Sequence, residues 1–555
     1  MLKPSQVCYI LKDHDSYWED QRPRMQELKR AYMTQYWARD KIDHILRTEV
    51  AKGFATVESY LGALYAKNPA VSVGPDLRAQ GNPEVAQATA NQYLGSIREV
   101  VEDATRLALI FPSAAVKLSP VESVDPLKRV ATSALPPWEV VVDVTAGSWD
   151  QQRYVGHVFL LPVSEAMSRY GRREARFTPR AYSRWLEGGP VGLYQTAEAD
   201  SEKSWVRVLE LYDLEADKLL VWSPDYKDGE DFLFKGVKVQ IGALPEVPED
   251  ETPGDLTEEV VTVTETTGIP FKSASGRPVV PILPLYLSRD PETPLRGYSL
   301  LARIYDQIRE LNVMRTYQSQ GVRRMARQWL MRAGFLEEDG AAKIIQGLDG
   351  EFIEVNIQPG TPLEGNIIPV PQAPIPGDIA AYANTVELDI QQSGVNAPFV
   401  SGQATGVTAT ENRLLQEYTS SQLGRMARTR DSLITSIAQT YNIMLSVILG
   451  DEAEPLRLPN PVGPTMLSAA DLTGDFAYYA VDSGSTPMGD AAKRDSLTQL
   501  AGTLVQLGAP AAAVLKELVR VYDLPESFSQ ILEPEAPPSP PEASPLEAPP
   551  EEEEL

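Results

Sequence analysis

Apolar and polar positions alternate with two different periods along the chain, and the change of period marks its broad organisation. Over residues 17–37 charged and aromatic side chains recur at helical spacing. Over 50–65, Val50, Phe54, Val57, Leu61 and Leu64 fall on one stripe and predict a second helix. Asn68-Pro69 ends it, because the residue before a proline leaves the helical region. A further helix is predicted over 85–109, closed by Ile110-Phe111-Pro112. From about Ala114 the period shortens, and strands are predicted at 114–118, 138–142, 155–160, 206–212 and 218–222. One helix interrupts this block near 164–170, and residues 245–259, rich in proline and acid, predict an exposed loop.

Helical spacing returns near Pro294. Leu301, Ile304, Ile308, Leu311 and Met314 form a stripe within a helix predicted from Ser299 to about Arg332. Unbroken, such a helix is about 50 Å long, with Gly321 as a candidate bend. A compact β-like insert follows, with strands predicted at 343–345 and 351–355 and an exit marked by Pro369, Pro371, Pro374 and Pro376. A shorter helix is predicted over 378–392. Residues 393–407 are irregular and contain Gly394, Pro398, Gly402 and Gly406. Thr408 and Glu411 have the spacing of a capping box and open a long helix. Its stripe is Leu415, Tyr418, Met426, Ile434, Ile437, Tyr441, Met444 and Ile448, and Gly450 is placed to end it. One more helix is predicted over 491–521. Residues 533–555 are mostly proline, alanine and glutamate and are predicted to stay disordered. The expected fold class is α+β, with no repeat of fixed period.

Composition narrows the function. The chain has 555 residues, 43% of them hydrophobic, enough for a sizeable core. It carries 77 Asp and Glu against 51 Lys and Arg, a net charge of -26. A protein that grips nucleic acid over its general surface is expected to be basic, so this class is excluded. Such a chain can still surround DNA without holding it. Cys8 is the single cysteine, which excludes an intrachain disulfide and fits synthesis in a reducing cytoplasm. The thiol is either reactive or a small apolar filler, the second being the simpler role. Lys3, Lys12 and Asp13 interrupt the start, where a signal peptide has an apolar core, and no uninterrupted apolar run approaches ~18 residues. The expectation is a soluble protein without a membrane segment.

Chemistry is sparse. The dipeptide Gly-Lys of a phosphate-binding loop is absent, as is G-x-G-x-x-G. His14, His44 and His157 have no metal-ligand spacing, so neither metal nor cofactor is expected. Gly297-Tyr298-Ser299 is half of a nucleophile elbow, without the second glycine. The expectation is a protein that is not an enzyme. Basic residues are more informative. The 299–332 helix carries Arg303, Arg309, Arg315, Arg323, Arg324, Arg327 and Arg332 against Asp306 and Glu310. Three roles are open for them: a solvated face with inter-subunit ion pairs, contact with an acidic partner subunit, or contact with phosphate. Arg425, Arg428 and Arg430 form a smaller cluster with the same three roles.

The order of these pieces resembles the central part of tailed-bacteriophage portal proteins, the head-to-tail connectors. Pro294-Leu295-Arg296-Gly297-Tyr298-Ser299 resembles the start of the stem, and Ile390 to Pro398 (IQQSGVNAP) the end of the returning stem helix and the beginning of the tunnel loop. Thr408-Ala409-Thr410-Glu411 and the helix after it resemble the segment that follows that loop. Residues 50–73 are similar to the early helix of the family, and Pro136 to Asp143 (PPWEVVVD) with Tyr154-Val155-Gly156-His157 to its wing strands. The likeness covers most of 20–530.

The resemblance implies an elongated portal fold with a helical stem, a small β clip, a mixed α/β wing and a helical crown, assembled as a ring. On this chain it implies a wing over 1–293, a stem helix over 294–325, a clip over 326–376, a returning stem helix over 377–393 and a tunnel loop over 394–407. A long wing helix over 408–450 and a wing and crown region over 451–532 complete it. The acidic tail over 533–555 has no counterpart. Asn396, Phe399, Ser401, Gln403 and Thr405 would face DNA, unless the segment is only a hinge, and Arg303, Arg309, Arg315, Arg323, Arg324 and Arg327 would form a basic stem face. The implied function is the channel for DNA packaging and ejection at the capsid vertex of the virion, in a ring of usually twelve subunits assembled in the host cytoplasm. The implied partners are further copies of the chain, double-stranded DNA in transit, a separate ATP-hydrolysing terminase, the major capsid and scaffolding proteins, and a tail adaptor. The alternatives are another virion structural protein, such as a minor head or connector subunit, a hydrolase using Ser299 or a carboxylate pair, or a soluble cellular scaffold whose acidic tail recruits basic partners.

Overall fold

The elements of the computed structural model follow in the order α1 (Pro4–Tyr32), α2 (Lys52–Leu64), β1 (Ala70–Gly74), α3 (Pro83–Ser96), α4 (Arg98–Ile110), β2 (Ala114–Pro120), β3 (Val130–Leu135), β4 (Val140–Val142), β5 (Tyr154–Pro162), α5 (Val163–Tyr170), β6 (Trp205–Asp213), β7 (Lys218–Trp222), β8 (Phe232–Lys235), β9 (Ile282–Leu285), α6 (Leu300–Met325), β10 (Trp329–Met331), β11 (Ile367–Pro369), α7 (Gly377–Ser393), α8 (Ala409–Leu449), β12 (Glu454–Arg457), β13 (Pro464–Leu467), α9 (Ala469–Leu472) and β14 (Ala477–Val481). The structure describes residues 2–37, 47–65, 68–75, 81–170, 172, 176–178, 205–235, 269–273, 276–290, 296–325, 329–331, 356, 367–369, 377–393, 409–450, 454–457, 464–474, 476–481 and 500. Two units are distinguished, Met1–Gly484 and Ser485–Leu555, and in the second only Leu500 is described. The first is mixed α+β, with several small sheets and one of five strands. The predicted loop at 245–259, the strands at 343–345 and 351–355, the helix at 491–521 apart from Leu500, and the acidic tail at 533–555 lie outside the described residues.

The five-stranded sheet is an antiparallel meander in the order β4-β5-β6-β7-β8. Its central strand, β6, is buried along nearly its whole length, and the period of two explains why. Arg207, Leu209 and Leu211 face the first turns of α1, where Leu209 and Leu211 join Val7 and Leu11 in one cluster. Val206 and Val208 face the opposite way and pack with Ala166 of α5. Arg207, buried on the α1 side, donates to both carboxylate oxygens of Asp15 at 2.7 and 2.6 Å. This bidentate pair fastens the helix to the sheet.

α1 begins thirteen residues before the predicted helix, with Pro4 in its first turn. Its second half carries Trp18, Met25 and Leu28 into the largest core cluster, shared with α2, α3, α4, α6 and the second half of α8. There Tyr93 and Tyr441 stack with centroids 3.6 Å apart. The helix predicted over 85–109 is two helices. Gly95 and Ser96, weak helix formers, precede the break at Ile97. The segment Leu423–Leu449 is long and apolar enough to cross a membrane by composition, with mean hydropathy 1.4, although charged residues interrupt it. Here its apolar stripe is part of the core, for Leu433, Ile434, Ile437, Tyr441 and Met444 are all buried. The helix ends at Leu449, and Gly450 takes the left-handed conformation (φ +60°) that the sequence position predicts.

Candidate functional site

The region singled out by sequence begins where α6 leaves the core. Gly297 is left-handed (φ +71°), and a Cβ there would lie 2.2 Å from the carbonyl oxygen of Pro112, so glycine is required. Ser299 follows as the N-cap of α6. Its hydroxyl accepts from the Ala302 N–H at 3.0 Å and donates to the carbonyl of Ile110 at 2.7 Å, the last residue of α4. The half-motif around Ser299 is therefore a helix start joined to a helix end, and its buried hydroxyl is engaged on both sides.

α6 buries Leu301, Ile304, Ile308 and Leu311, four of the five residues of the predicted stripe, and Met314 packs beside them half-buried. The helix spans 26 residues, about 39 Å, and Gly321 does not interrupt it. Asn312 and Thr316, also buried, bind the backbone before α2: Val50 N–H donates to Asn312 Oδ1 at 2.8 Å and Thr48 N–H to Thr316 Oγ1 at 3.0 Å. α7 lies against α6 through Ala383, Val386 and Ile390. Glu387 of α7 binds both Lys52, the first residue of α2, and Arg315 at 3.5 Å. Lys52, chiefly, and then Arg315 hold its carboxyl below the usual range. Tyr382 donates to Glu310 at 2.6 Å. The chain between α6 and α7 departs through β10 and returns through β11, which pair antiparallel.

The arginines of α6 do not form one described face. At 3.6 residues per turn a six-residue step rotates by about 240°, so Arg303, Arg309 and Arg315 spread around the helix. Arg303 lies over the Tyr298 ring and donates to Ser288. Arg309 is exposed. Arg315 turns to α7. Arg323 and Arg324 belong to the last turn, but their side chains lie outside the described residues, as does Arg327. So do Asn396, Phe399, Ser401, Gln403 and Thr405, with all of 394–408. Thr408 of the predicted capping box lies outside too, and α8 starts one residue later. In the second cluster Arg425 and Arg428 are exposed, whereas Arg430 is fully buried. Its guanidinium binds the Leu64 carbonyl at the end of α2 and the Asp431 carboxylate at 2.6 Å. That is a cation capping a helix C-terminus.

One buried polar cluster had no sequence signal. Lys117 of β2 crosses to the five-stranded sheet and binds Glu210 of β6, with its Nζ 3.0 Å from Nδ1 of His157 on β5. His157 and Glu210 face each other in the strand register. An ammonium only donates, so Nδ1 accepts, and the imidazole proton sits on Nε2, 3.8 Å from Glu139. Burial first, then the Lys117 charge, hold His157 well below its ordinary pKa. These residues lie 40 and 53 positions apart, and only the strand register brings them together. The cluster joins two sheets by a neutralised charge pair. Among the described residues no group of His, Cys, Asp and Glu is arranged to hold a metal. Compared with known proteins, the chain matches no protein-family model and no curated sequence.

Proposed function

We propose that the chain is the portal subunit of a tailed bacteriophage, a structural protein that forms the ring through which DNA is packaged and ejected. One observation carries this most directly. Two mutually packed helices, α6 and α7, bracket an insert closed by the antiparallel β10–β11 ladder, and a 41-residue helix follows, its second half set in the core. In a portal these are the stem, the clip and the long wing helix. The β-rich block before α6 takes the place of the wing. The net charge of -26 suits a wall past which phosphates slide without sticking. The ring would sit at the capsid vertex, with the terminase and the tail adaptor docking on the clip side.

Negative-stain electron microscopy of the purified full chain tests the proposal. The expected particles are rings with a central hole and about twelvefold symmetry, a closed cyclic assembly. Compact particles without a hole, at concentrations where rings should assemble, would overturn it and favour a minor head or connector protein.

A further inference from the structure

The small sheet of β1 and β14 has two edges, and α3 closes only one of them. Val71 N–H donates to Asn91 Oδ1 at 2.7 Å, Asn91 Nδ2 donates back to the Val71 carbonyl at 3.0 Å, and Val73 N–H donates to Gln87 Oε1 at 2.9 Å. Two side-chain amides thus stand in for a neighbouring strand along β1. Because the main-chain groups of Val71 and Val73 turn to α3, the residues of β1 that exchange bonds with β14 are Ala70, Ser72 and Gly74, opposite Val481, Tyr479 and Ala477. The N–H and C=O groups of Tyr478 and Ala480 therefore point to the far edge. Among the described residues no strand pairs there.

This edge lacks the features that normally protect one. β14 reads AYYAV, without lysine, proline or any charge. Tyr478 faces the core, where Asn442 Nδ2 donates to its hydroxyl at 2.8 Å. Tyr479 faces the other way and is 63% exposed. The strand is also complementary to itself. When two copies run antiparallel with Tyr478 opposite the partner's Ala480, and Ala480 opposite the partner's Tyr478, every outward main-chain group finds a partner. On the core side each ring then meets a small methyl, and on the outer side Tyr479 meets the partner's Tyr479 as an aromatic cross-strand pair. In a chain of net charge -26, this uncharged strand is a place where two copies meet without like charges across the seam.

We propose that β14 is a pairing edge for a second copy of this chain, joining two β1–β14 sheets into one continuous antiparallel sheet about a twofold axis. Such a contact closes with two copies and is distinct from the head-to-tail contact that builds a ring, so its test does not depend on ring formation. Disulfide trapping in the full chain, with Cys8 replaced by Ser, provides that test. Tyr479 and the partner's Tyr479 form a non-hydrogen-bonded pair in this register, with Cα atoms about 4.5 Å apart, within the span of a disulfide. Under mild oxidation with copper phenanthroline, Tyr479→Cys is expected to run as a linked dimer on a non-reducing gel. Ser72→Cys is the control: it is exposed on the same face but one strand further from the axis, and it should link at least about tenfold less. Ala480→Pro removes one outward N–H and leaves the ladder to β1 intact, so adding it to Tyr479→Cys should abolish the linked dimer. No linked dimer with Tyr479→Cys, equal linking with Ser72→Cys, or linking that survives Ala480→Pro would each overturn the proposal. If Ala480→Pro disturbs folding, a mixture of Ala477→Cys and Val481→Cys chains decides. These positions lie opposite each other across the seam, so linking in the mixture and in neither variant alone supports the pairing, and its absence sinks it.

Discussion

Arg430 has no exposed surface, whereas Arg425 and Arg428 on the same helix remain in solvent, and the energetic consequences differ accordingly. Replacing Arg430 by Met removes the cap of α2 and leaves the Leu64 carbonyl without its partner. The expected loss is about 2–4 kcal/mol, because truncating one member of a buried pair exposes the cost of the other. Arg425→Met and Arg428→Met should each stay within about 0.5 kcal/mol in the same denaturant titration. Histidines set a second expectation at this scale. His14 and His157 are both held below 6.5 in the folded chain, so the unfolded chain binds protons that the folded one does not. Their contribution is present above about pH 6.5 and is lost as the pH falls below it, for His14 down to about 4, by up to about 1.4 kcal/mol per pH unit for each. Asp143, Asp217 and Glu387, held low by Arg153, Lys272 and Lys52 respectively, add a further loss below about pH 4. Urea titrations at pH 7 and pH 5 should show the first loss in the native sequence and a smaller one in His157→Gln. An equal loss in both would show that His157 titrates normally.

At the scale of elements the beginning of α6 is the position most open to test. Ser299→Ala removes a cap and one donor to the Ile110 carbonyl, and the expected cost is about 1–3 kcal/mol by thermal or urea unfolding. Gly297→Ala should cost more, since its Cβ meets backbone that cannot move aside. A stability unchanged by Ser299→Ala would reopen a chemical role for this serine. The same element shows what a sequence reveals. The stripe of α6 was legible because four of its residues all face one core, and the strands β5, β6 and β7 because their apolar runs are long. β1, β3, β8 and β9 were not legible. β1 pairs with β14 some four hundred positions away, and β9 with β2, so the partners that make them strands are remote in sequence. β3, with the sequence VATSAL, buries only its two end residues, Val130 and Leu135, and shows no alternation to announce it. The first half of α1 escaped because its fully buried apolar residues facing the sheet, Val7 and Leu11, are only two and stand among polar ones, although Pro4 was a start signal in plain view. Counting arginines on α6 overstated a common face, because number carries no angular information while spacing does.

For the whole molecule, charge is the property with the broadest reach. A duplex held by a protein gains affinity from each phosphate that a cation neutralises, and each neutralised phosphate steepens the dependence on salt. The chain carries a net charge of -26, and several of its arginines are already bound to partners: Arg207 to Asp15, Arg315 to Glu387, Arg430 to Leu64 and Asp431. The whole chain has 51 Lys and Arg against 77 Asp and Glu, so its exposed arginines, Arg303 and Arg309 of α6 and Arg425 and Arg428 of α8 among them, do not reverse the field of so acidic a chain. Linear duplex DNA mixed with the purified protein should therefore remain free in a gel-shift assay at about 50 mM salt. A duplex confined inside a channel needs no such affinity, and its passage is faster without it. If a complex forms instead, its salt dependence identifies the contacts, since each phosphate contributes about -0.9 to the slope of log affinity against log salt. Arg309→Gln would then lower the magnitude of that slope by about one if α6 touches the backbone. In that event the arginines of α6 would act on phosphate, and the proposed channel would grip the duplex where an acidic wall would let it slide.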